Sequence, residues 1–239
     1  MCNRYTLSKE HLREILAQLG LDPDPDYHTR FNIAPSTVVP AVRRKSGATA
    51  AEAAKLRWGL VPAWSKEDIG TTLLNARAET AAAKPSFRAA FRARRCLLPA
   101  SGYYEWQAIG RARKPWLFRR RDERPFCFAG LWESWPAPDG RALETCTILT
   151  VEPNDLARPI HTRMPVVLAP EQFAPWLDPT LAEPERISAF LRPFPAAEMT
   201  ALAVSRYVSN VRHEGPQCLA PASADEAAEG DTPQLSLGL

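Results

Sequence analysis

The hydrophobic pattern near the start of the chain predicts an amphipathic helix over residues 8–19. Leucine and isoleucine repeat there at three- and four-residue spacing, Ser8 can cap the helix, and Gly20 stands where it ends. Residues 21–36 are rich in Pro, Asp and Asn, which predicts a loop.

Farther along, short runs of β-branched and aromatic residues predict strands, with a few helical patterns between them. The predicted strands are residues 38–43, 56–60, 96–98, 102–107, 116–120, 127–132, 145–150, 166–168 and 204–208. The predicted helices are residues 76–83, 85–95, 171–177 and 184–190. Many short strands with few helices predict an α+β fold, in which a strongly curved or barrel-like, mostly antiparallel sheet carries peripheral helices.

Composition narrows the class of protein. A chain of 239 residues with 45% hydrophobic content can bury a full core. It contains no run of about 18 apolar residues and no secretory signal pattern, so we expect a cytoplasmic protein without a membrane span. The five cysteines are scattered without C-x-x-C spacing, and the four histidines lack ligand spacing. The sequence therefore predicts reduced thiols, no metal and no cofactor.

The positive charge is concentrated in the body of the chain. Residues 221–239 hold four acidic residues and no basic one, so the net charge of +3 leaves an excess of +7 on residues 1–220. Arginine outnumbers lysine by 24 to 6. Arginine binds phosphate bidentately, which favours a nucleic-acid partner. The alternative is an arginine-rich composition whose side chains are merely solvated.

The second residue has unusual chemistry available to it. Aminopeptidases remove an initiator methionine that precedes a small residue, which leaves Cys2 with an α-amine and a thiol on adjacent carbons. Such a group condenses with an aldehyde to a Schiff base, and the sulfur then closes a thiazolidine ring. From its position alone, Cys2 is more simply interpreted as an early residue in a frayed chain end.

Three further segments contain side chains that could take part in catalysis, and each also has a purely structural interpretation. Asn75, in residues 74–79, is either a functional carboxamide or a helix cap. Glu105 lies between aromatic residues in a predicted strand, where it can also face solvent. His161 precedes a predicted strand and can be purely structural. No single segment assigns a function.

Taken together in this order, the segments resemble the SRAP (SOS-response-associated peptidase-like) family. The motifs are Met-Cys at the start, Asn-Ala-Arg-Ala-Glu at 75–79, Gly-Tyr-Tyr-Glu-Trp at 102–106 and His-Thr-Arg-Met-Pro at 161–165. The resemblance covers residues 2–220, which we expect to form one domain followed by a disordered acidic tail, residues 221–239. One position departs from the family pattern, since Asn3 stands where the family commonly has glycine.

The resemblance implies a monomeric, nucleoid-associated sensor of abasic sites in single-stranded DNA. It implies an enzyme that crosslinks itself to the opened sugar through Cys2 as a thiazolidine, with lyase activity as a further expectation. Glu105 and His161 would then transfer protons and Asn75 would orient the amine or the sugar. Further side chains would bind the phosphates and bases that flank the abasic site. These predicted DNA-binding residues are Arg4, Arg77, Arg163, Trp64 and Trp106.

Two other functions stay open from the sequence. The first is a cysteine peptidase, general or autoproteolytic toward Met1, that pairs Cys2 with His161 near Glu105. The second is a single-stranded DNA-binding module without catalysis, whose binding would depend on salt but not on Cys2.

The end of the chain suggests a partner of a different kind. Residues 234–239 resemble the Gln-Leu-x-Leu-x-Leu peptide by which bacterial repair proteins bind the replication sliding clamp. A short peptide on an acidic linker suits docking, because the tether raises its effective concentration. The alternative is an accidental leucine-rich ending. The predicted clamp-binding residues are Gln234, Leu235, Leu237 and Leu239.

Overall fold

A computed structural model describes residues 2–45, 47–224 and 226, and these residues form thirteen strands and five α-helices. The strands are β1 (Tyr5–Leu7), β2 (Arg30–Ile33), β3 (Val38–Arg43), β4 (Glu52–Trp58), β5 (Asn75–Arg77), β6 (Arg95–Ala100), β7 (Gly102–Ile109), β8 (Ala112–Arg120), β9 (Phe126–Pro136), β10 (Ala142–Val151), β11 (Met164–Pro165), β12 (Val167–Leu168) and β13 (Met199–Ala203). The α-helices are α1 (Lys9–Gln18), α2 (Ala78–Ala81), α3 (Arg88–Ala93), α4 (Phe173–Leu177) and α5 (Pro184–Ser188).

Five strands close into a barrel. They pair in the order β4-β3-β6-β9-β10, and β10 completes the ring by pairing with β4 in parallel. Strands β5, β11 and β12 extend this sheet, and β5 joins β10 in parallel. The long strands β9 and β10 are buried over most of their residues. The predicted barrel-like, mostly antiparallel α+β fold is confirmed.

A second, wholly antiparallel sheet covers the barrel in the order β13-β8-β7-β1-β2. Tyr5 and Tyr103 are cross-strand partners on β1 and β7. Tyr5 packs edge-on against Trp58 and Phe128 of the barrel, with ring centroids 5.5 Å apart in each pair. The main core therefore lies between the two sheets, and it places the N-terminal segment at their junction.

The predicted N-terminal helix is confirmed as α1. Ser8 is the N-cap, and its hydroxyl oxygen accepts a hydrogen bond from the backbone N–H of His11 at 3.1 Å. Leu12, Ile15 and Leu16 form the buried face. The local pattern was sufficient here because capping and amphipathic spacing are both properties of neighbouring residues.

Several predicted elements were wrong. The loop predicted over residues 21–36 contains strand β2, and the strand predicted over 204–208 is mostly a 3-10 helix, Arg206–Ser209, with the last strand, β13, lying before it. The helix predicted over 76–83 shortens to α2, because Asn75–Arg77 pair with β10 as β5. Pairing with a distant strand decided the first and the last of these segments.

The segment after residue 220 begins packed against the domain. Pro221 forms an isolated bridge with Val204, and the backbone N–H of Ala222 donates to the carbonyl of Ala203 at 3.1 Å. Glu226 accepts from the backbone N–H of Arg206 at 2.9 Å. The domain limit at residue 220 stays a prediction, and the predicted clamp peptide lies outside the described residues. Among the helices in the described part of the chain, none is long and apolar enough to cross a membrane.

Candidate active site around Cys2

Pairing between the two sheets positions Cys2. The backbone N–H of Tyr104 donates to the carbonyl of Arg4 at 2.9 Å, which extends the β1–β7 contact toward the chain start. From the barrel side, Nδ2 of Asn75 donates to the carbonyl of Cys2 at 3.0 Å. Cys2 is fully buried between these two supports. The structure therefore excludes the interpretation of Cys2 as a frayed end.

The Cys2 thiol is held in its neutral form. Burial, reinforced by the nearby charge of Glu105, raises the pKa of the thiol far above its ordinary value. Its Sγ–H donates weakly to the carbonyl of Arg4, with 3.9 Å between the heavy atoms. Because a thiolate is the strong nucleophile, this thiol is suited to react late, after another group has engaged the substrate.

The nitrogen and the oxygen of the Asn75 carboxamide have different surroundings. It begins β5, which pairs with β10 at Ile148, so its backbone is fixed by the barrel. Nδ2 donates to the carbonyl of Cys2 and to Oδ1 of Asn3, each at 3.0 Å. Within the described residues, Oδ1 of Asn75 is buried and accepts no hydrogen bond. One buried acceptor is therefore available beside the backbone of Cys2.

Glu105 is a buried carboxyl group whose pKa lies near neutral pH. It lies two residues after Tyr103 on β7, so both side chains share the face that meets the barrel. Only 3% of Glu105 is exposed, and burial raises its pKa from about 4.5 to about 7. A group that is half-ionised at neutral pH can both donate and accept a proton.

His161 faces Glu105 and can hold either protonation state. Its Nε2 lies 3.8 Å from Oε2 of Glu105. On the other side of the ring, the backbone N–H of Arg163 can donate to Nδ1 of a neutral ring, and the Arg163 carbonyl can accept from a protonated one, each at 3.0 Å. Burial, assisted by the charge of Arg113, lowers the pKa of His161. The neutral imidazole therefore predominates at neutral pH.

Hydrogen bonds to the sheets hold the loop that carries His161. The amide of Gln107 on β7 donates to the carbonyl of Pro159 at 3.0 Å. Arg163 forms two parallel bonds with the carboxylate of Glu79, at 2.9 and 2.8 Å, and a third with the carbonyl of Thr150 on β10. Glu79 lies in a motif that the sequence singled out, but its role as the partner of Arg163 was not predicted.

The predicted DNA-binding residues fall into two groups. Arg4 is only 8% exposed and donates to Oδ1 of Asn32 at 2.9 Å, and Arg163 is bound by Glu79. Both guanidinium groups thus have internal partners. By contrast, Arg77 is exposed and lies two residues after Asn75 on β5. Contacts of these residues with phosphate stay predictions.

Aromatic side chains add accessible surface. Trp64 is 63% exposed at the tip of a loop, and Trp106 is half-buried, with Nε1 donating to the hydroxyl of Ser209 at 3.0 Å. The guanidinium of Arg4 lies 5.4 Å from the centroid of the Trp106 ring.

Sequence reasoning missed Arg113, an exposed residue whose charge acts on His161. Only its place on the β7–β8 hairpin, opposite the His161 loop, could have revealed it.

The fold and the site together define a class of protein. It is an α+β protein with a five-stranded barrel and a covering sheet, in which a buried cysteine at position 2 meets an asparagine, a glutamate and a histidine. Within the described residues no cluster of His, Cys, Asp and Glu has the geometry of a metal site. The chain belongs to the SOS response associated peptidase (SRAP) family, whose sequence profile matches residues 1–211.

Known relatives agree with this assignment over nearly the whole chain. The abasic site processing protein YoqW of Bacillus subtilis is 38% identical over 224 residues, which cover 92% of this chain and 99% of that protein. The abasic site processing protein YedK of Escherichia coli is 29% identical over 228 residues, covering 92% and 100%. A crystal structure of a Bacteroides thetaiotaomicron protein superposes with a TM-score of 0.83 at 26% identity, covering 93% of this chain and 100% of that one.

Proposed function

We propose that this protein processes abasic sites in single-stranded DNA by forming a covalent thiazolidine crosslink through Cys2. The observation that carries the proposal is the meeting of Cys2, Asn75, Glu105 and His161 at one buried junction. The relatives named abasic site processing proteins support the substrate class. The opened sugar of an abasic site presents an aldehyde, which is the partner that a 1,2-aminothiol requires.

The reaction begins at nitrogen. Removal of Met1 creates the α-amine of Cys2, which attacks the aldehyde carbon and forms a carbinolamine. Loss of one water gives an imine, and the thiol then adds across the C=N bond, with its proton passing to nitrogen. The product is a thiazolidine, and one water is released overall. The raised pKa of the buried thiol suits this order, because the sulfur stays neutral until the imine has formed.

Glu105 and His161 supply the proton transfers. The amine must lose a proton on attack, and the carbinolamine oxygen must gain one to leave as water. Glu105, with a pKa of about 7, is able to do both, and the neutral imidazole of His161 lies beside it as an acceptor. The backbone N–H and carbonyl of Arg163 then hold the ring in either state.

The test is a denaturing gel of the purified protein with single-stranded DNA that contains one abasic site. We expect a slower band that resists denaturation and whose intact mass equals protein without Met1 plus DNA minus one water. Cys2→Ala must abolish the band, and Cys2→Ser must stop at a reducible imine without a stable ring. A stable band in Cys2→Ala would contradict the proposal.

The same gel separates the other functions. If the protein acts as a lyase, the DNA strand is cleaved, because the imine also permits β-elimination of the phosphate. A binding module shifts a native gel but leaves no covalent product, and it is indifferent to Cys2→Ala. A peptidase cleaves protein substrates. The neutral, buried thiol disfavours the last reaction, since a cysteine peptidase attacks the peptide carbonyl with a thiolate.

The C-terminal peptide extends the proposal to a protein partner. Residues 234–239 lie beyond the described part of the chain, and the clamp is proposed from their sequence alone. Pro221 and Glu226, which precede this peptide in the sequence, contact the domain. Deletion of residues 234–239 should abolish pull-down of a bacterial sliding clamp and leave crosslinking unchanged. Equal pull-down by the deleted chain would remove this part of the proposal.

A further inference from the structure

The side chain of Asn3 lies in the site although it is not one of the expected catalytic groups. Its Oδ1 accepts a hydrogen bond from Nδ2 of Asn75 at 3.0 Å. The neighbouring carbonyl of Cys2 accepts the other proton of the same Nδ2, also at 3.0 Å. Both donors of the Asn75 carboxamide are thus used by two adjacent residues at the chain start.

This pair of contacts selects one orientation of the Asn75 side chain. Rotating the carboxamide by half a turn would place its oxygen against two other oxygens, the carbonyl of Cys2 and Oδ1 of Asn3. Both contacts would become repulsive. The observed orientation leaves Oδ1 of Asn75 as the free atom, and it is buried with no donor among the described residues. A buried acceptor without a donor is unfavourable, so this atom is suited to receive one.

The α-amine of Cys2 is the donor that this acceptor suits. The amine nitrogen is two covalent bonds from the carbonyl carbon whose oxygen Asn75 already binds. In the peptide bond to Met1 it carries a single proton, and it becomes a primary amine with a nucleophilic lone pair only when Met1 has been removed. A hydrogen bond from the amine to Oδ1 of Asn75 would aim the nitrogen lone pair, and Asn3 would keep that acceptor in place.

We propose that Asn3 is a positioning residue that fixes the Asn75 carboxamide so that Oδ1 of Asn75 receives the α-amine of Cys2. The inference rests on the proposed crosslinking function. A glycine at position 3 has no side-chain acceptor and would leave one of the two orienting contacts. The asparagine at this position therefore adds a second contact, made by its side chain, that fixes the Asn75 carboxamide beside Cys2.

A double-mutant cycle tests the inference through crosslinking rates with abasic single-stranded DNA. Asn3→Leu keeps the approximate size of the side chain and removes its acceptor, and Asn3→Asp keeps an acceptor oxygen. We expect Asn3→Leu to slow crosslinking about 5-fold, the equivalent of one net hydrogen bond, and Asn3→Asp to restore most of the rate. In an Asn75→Ala background, Asn3→Leu should have no further effect, because its partner is gone.

A second measurement does not depend on DNA. Exchange of the Asn75 side-chain amide protons, followed by NMR on the full chain, should accelerate in Asn3→Leu and recover in Asn3→Asp. Unchanged exchange in Asn3→Leu overturns the inference, as does an equal rate loss in the wild-type and Asn75→Ala backgrounds. A wild-type protein that forms no crosslink overturns the proposed function itself, which is a different result from a crosslinking protein whose cycle is additive.

Discussion

At the scale of single residues, burial determines the chemistry of the site. Glu105 and Cys2 are both almost inaccessible, and in both the cost of burying a charge raises the pKa. The consequences differ because the ordinary pKa values differ. Glu105 moves into the range where it exchanges protons at neutral pH, whereas the thiol moves out of it.

Replacing Glu105 by Gln should therefore change both rate and stability. The pKa of Glu105 is raised from about 4.5 to about 7, so the folded state binds more protons than the unfolded state between these values. Its contribution to stability is present below about pH 4.5 and is lost as pH rises through 7. Relative to wild type, Glu105→Gln should gain on the order of 3 kcal/mol between pH 4.5 and 8.

Urea unfolding of the two proteins across this pH range measures the difference. Crosslinking by Glu105→Gln should fall by about 10²-fold, the usual loss when a general acid–base group is removed. Parallel stability curves for the two proteins would show that Glu105 does not titrate in this range.

At the scale of elements, the turn after β4 positions the segment that leads to Asn75. Gly59 has φ +132°, and a Cβ there would lie 2.7 Å from the carbonyl oxygen of Gly70. The N–H of Gly59 donates to Cys146 at 2.8 Å and that of Leu60 donates to Leu73 at 3.2 Å. Only glycine allows this close approach of two backbones.

Gly59→Ala should destabilise the protein by at least about 2 kcal/mol, because the clash is with backbone atoms that cannot rotate away. Gly110→Ala is the matched control. It also has positive φ, +57°, but nothing lies within 4 Å of its added Cβ, so its cost should stay near 1–2 kcal/mol. Thermal unfolding compares the stability of the two variants. Equal losses of stability would show that the Gly59–Gly70 contact does not add to the cost of the substitution.

The predicted elements succeeded or failed according to how local their determinants are. Helix α1 followed from its cap and apolar spacing. Strand β1, with three residues, and strand β2 carry too short a pattern to be recognised and exist through their pairing with each other and with β7. The strand expected over residues 204–208 has β-branched residues, but it lies after the last sheet position and turns into a 3-10 helix.

At the scale of the whole molecule, charge should govern the encounter with DNA. Arg77 and Arg113 are exposed close to the site, and they are available for phosphate. Each phosphate contact contributes a slope of about −0.7 to a plot of log affinity for single-stranded DNA against log salt concentration. Replacing either arginine by Ala should reduce the slope by about that amount.

Fluorescence anisotropy in a Cys2→Ala background measures this slope without crosslinking. Arg141→Ala is the control, because Arg141 is 87% exposed at the β9–β10 turn, on the order of 20 Å along β10 from the pairing with Asn75. Its removal should leave the slope nearly unchanged. If all three variants lower the slope equally, the contacts are spread over the surface and do not converge on the site.

The sequence by itself determined the family, the barrel-like class of fold and the first helix, and it singled out the four residues that the structure brings together. These follow from local patterns and from the order of motifs. The tertiary structure decided that Cys2 is buried, that Glu105 faces His161, and that Arg4 and Arg163 bind protein partners. Residues 2, 75, 105 and 161 meet only because distant strands pair, and burial, which no local pattern reports, shifts the pKa values on which their chemistry depends.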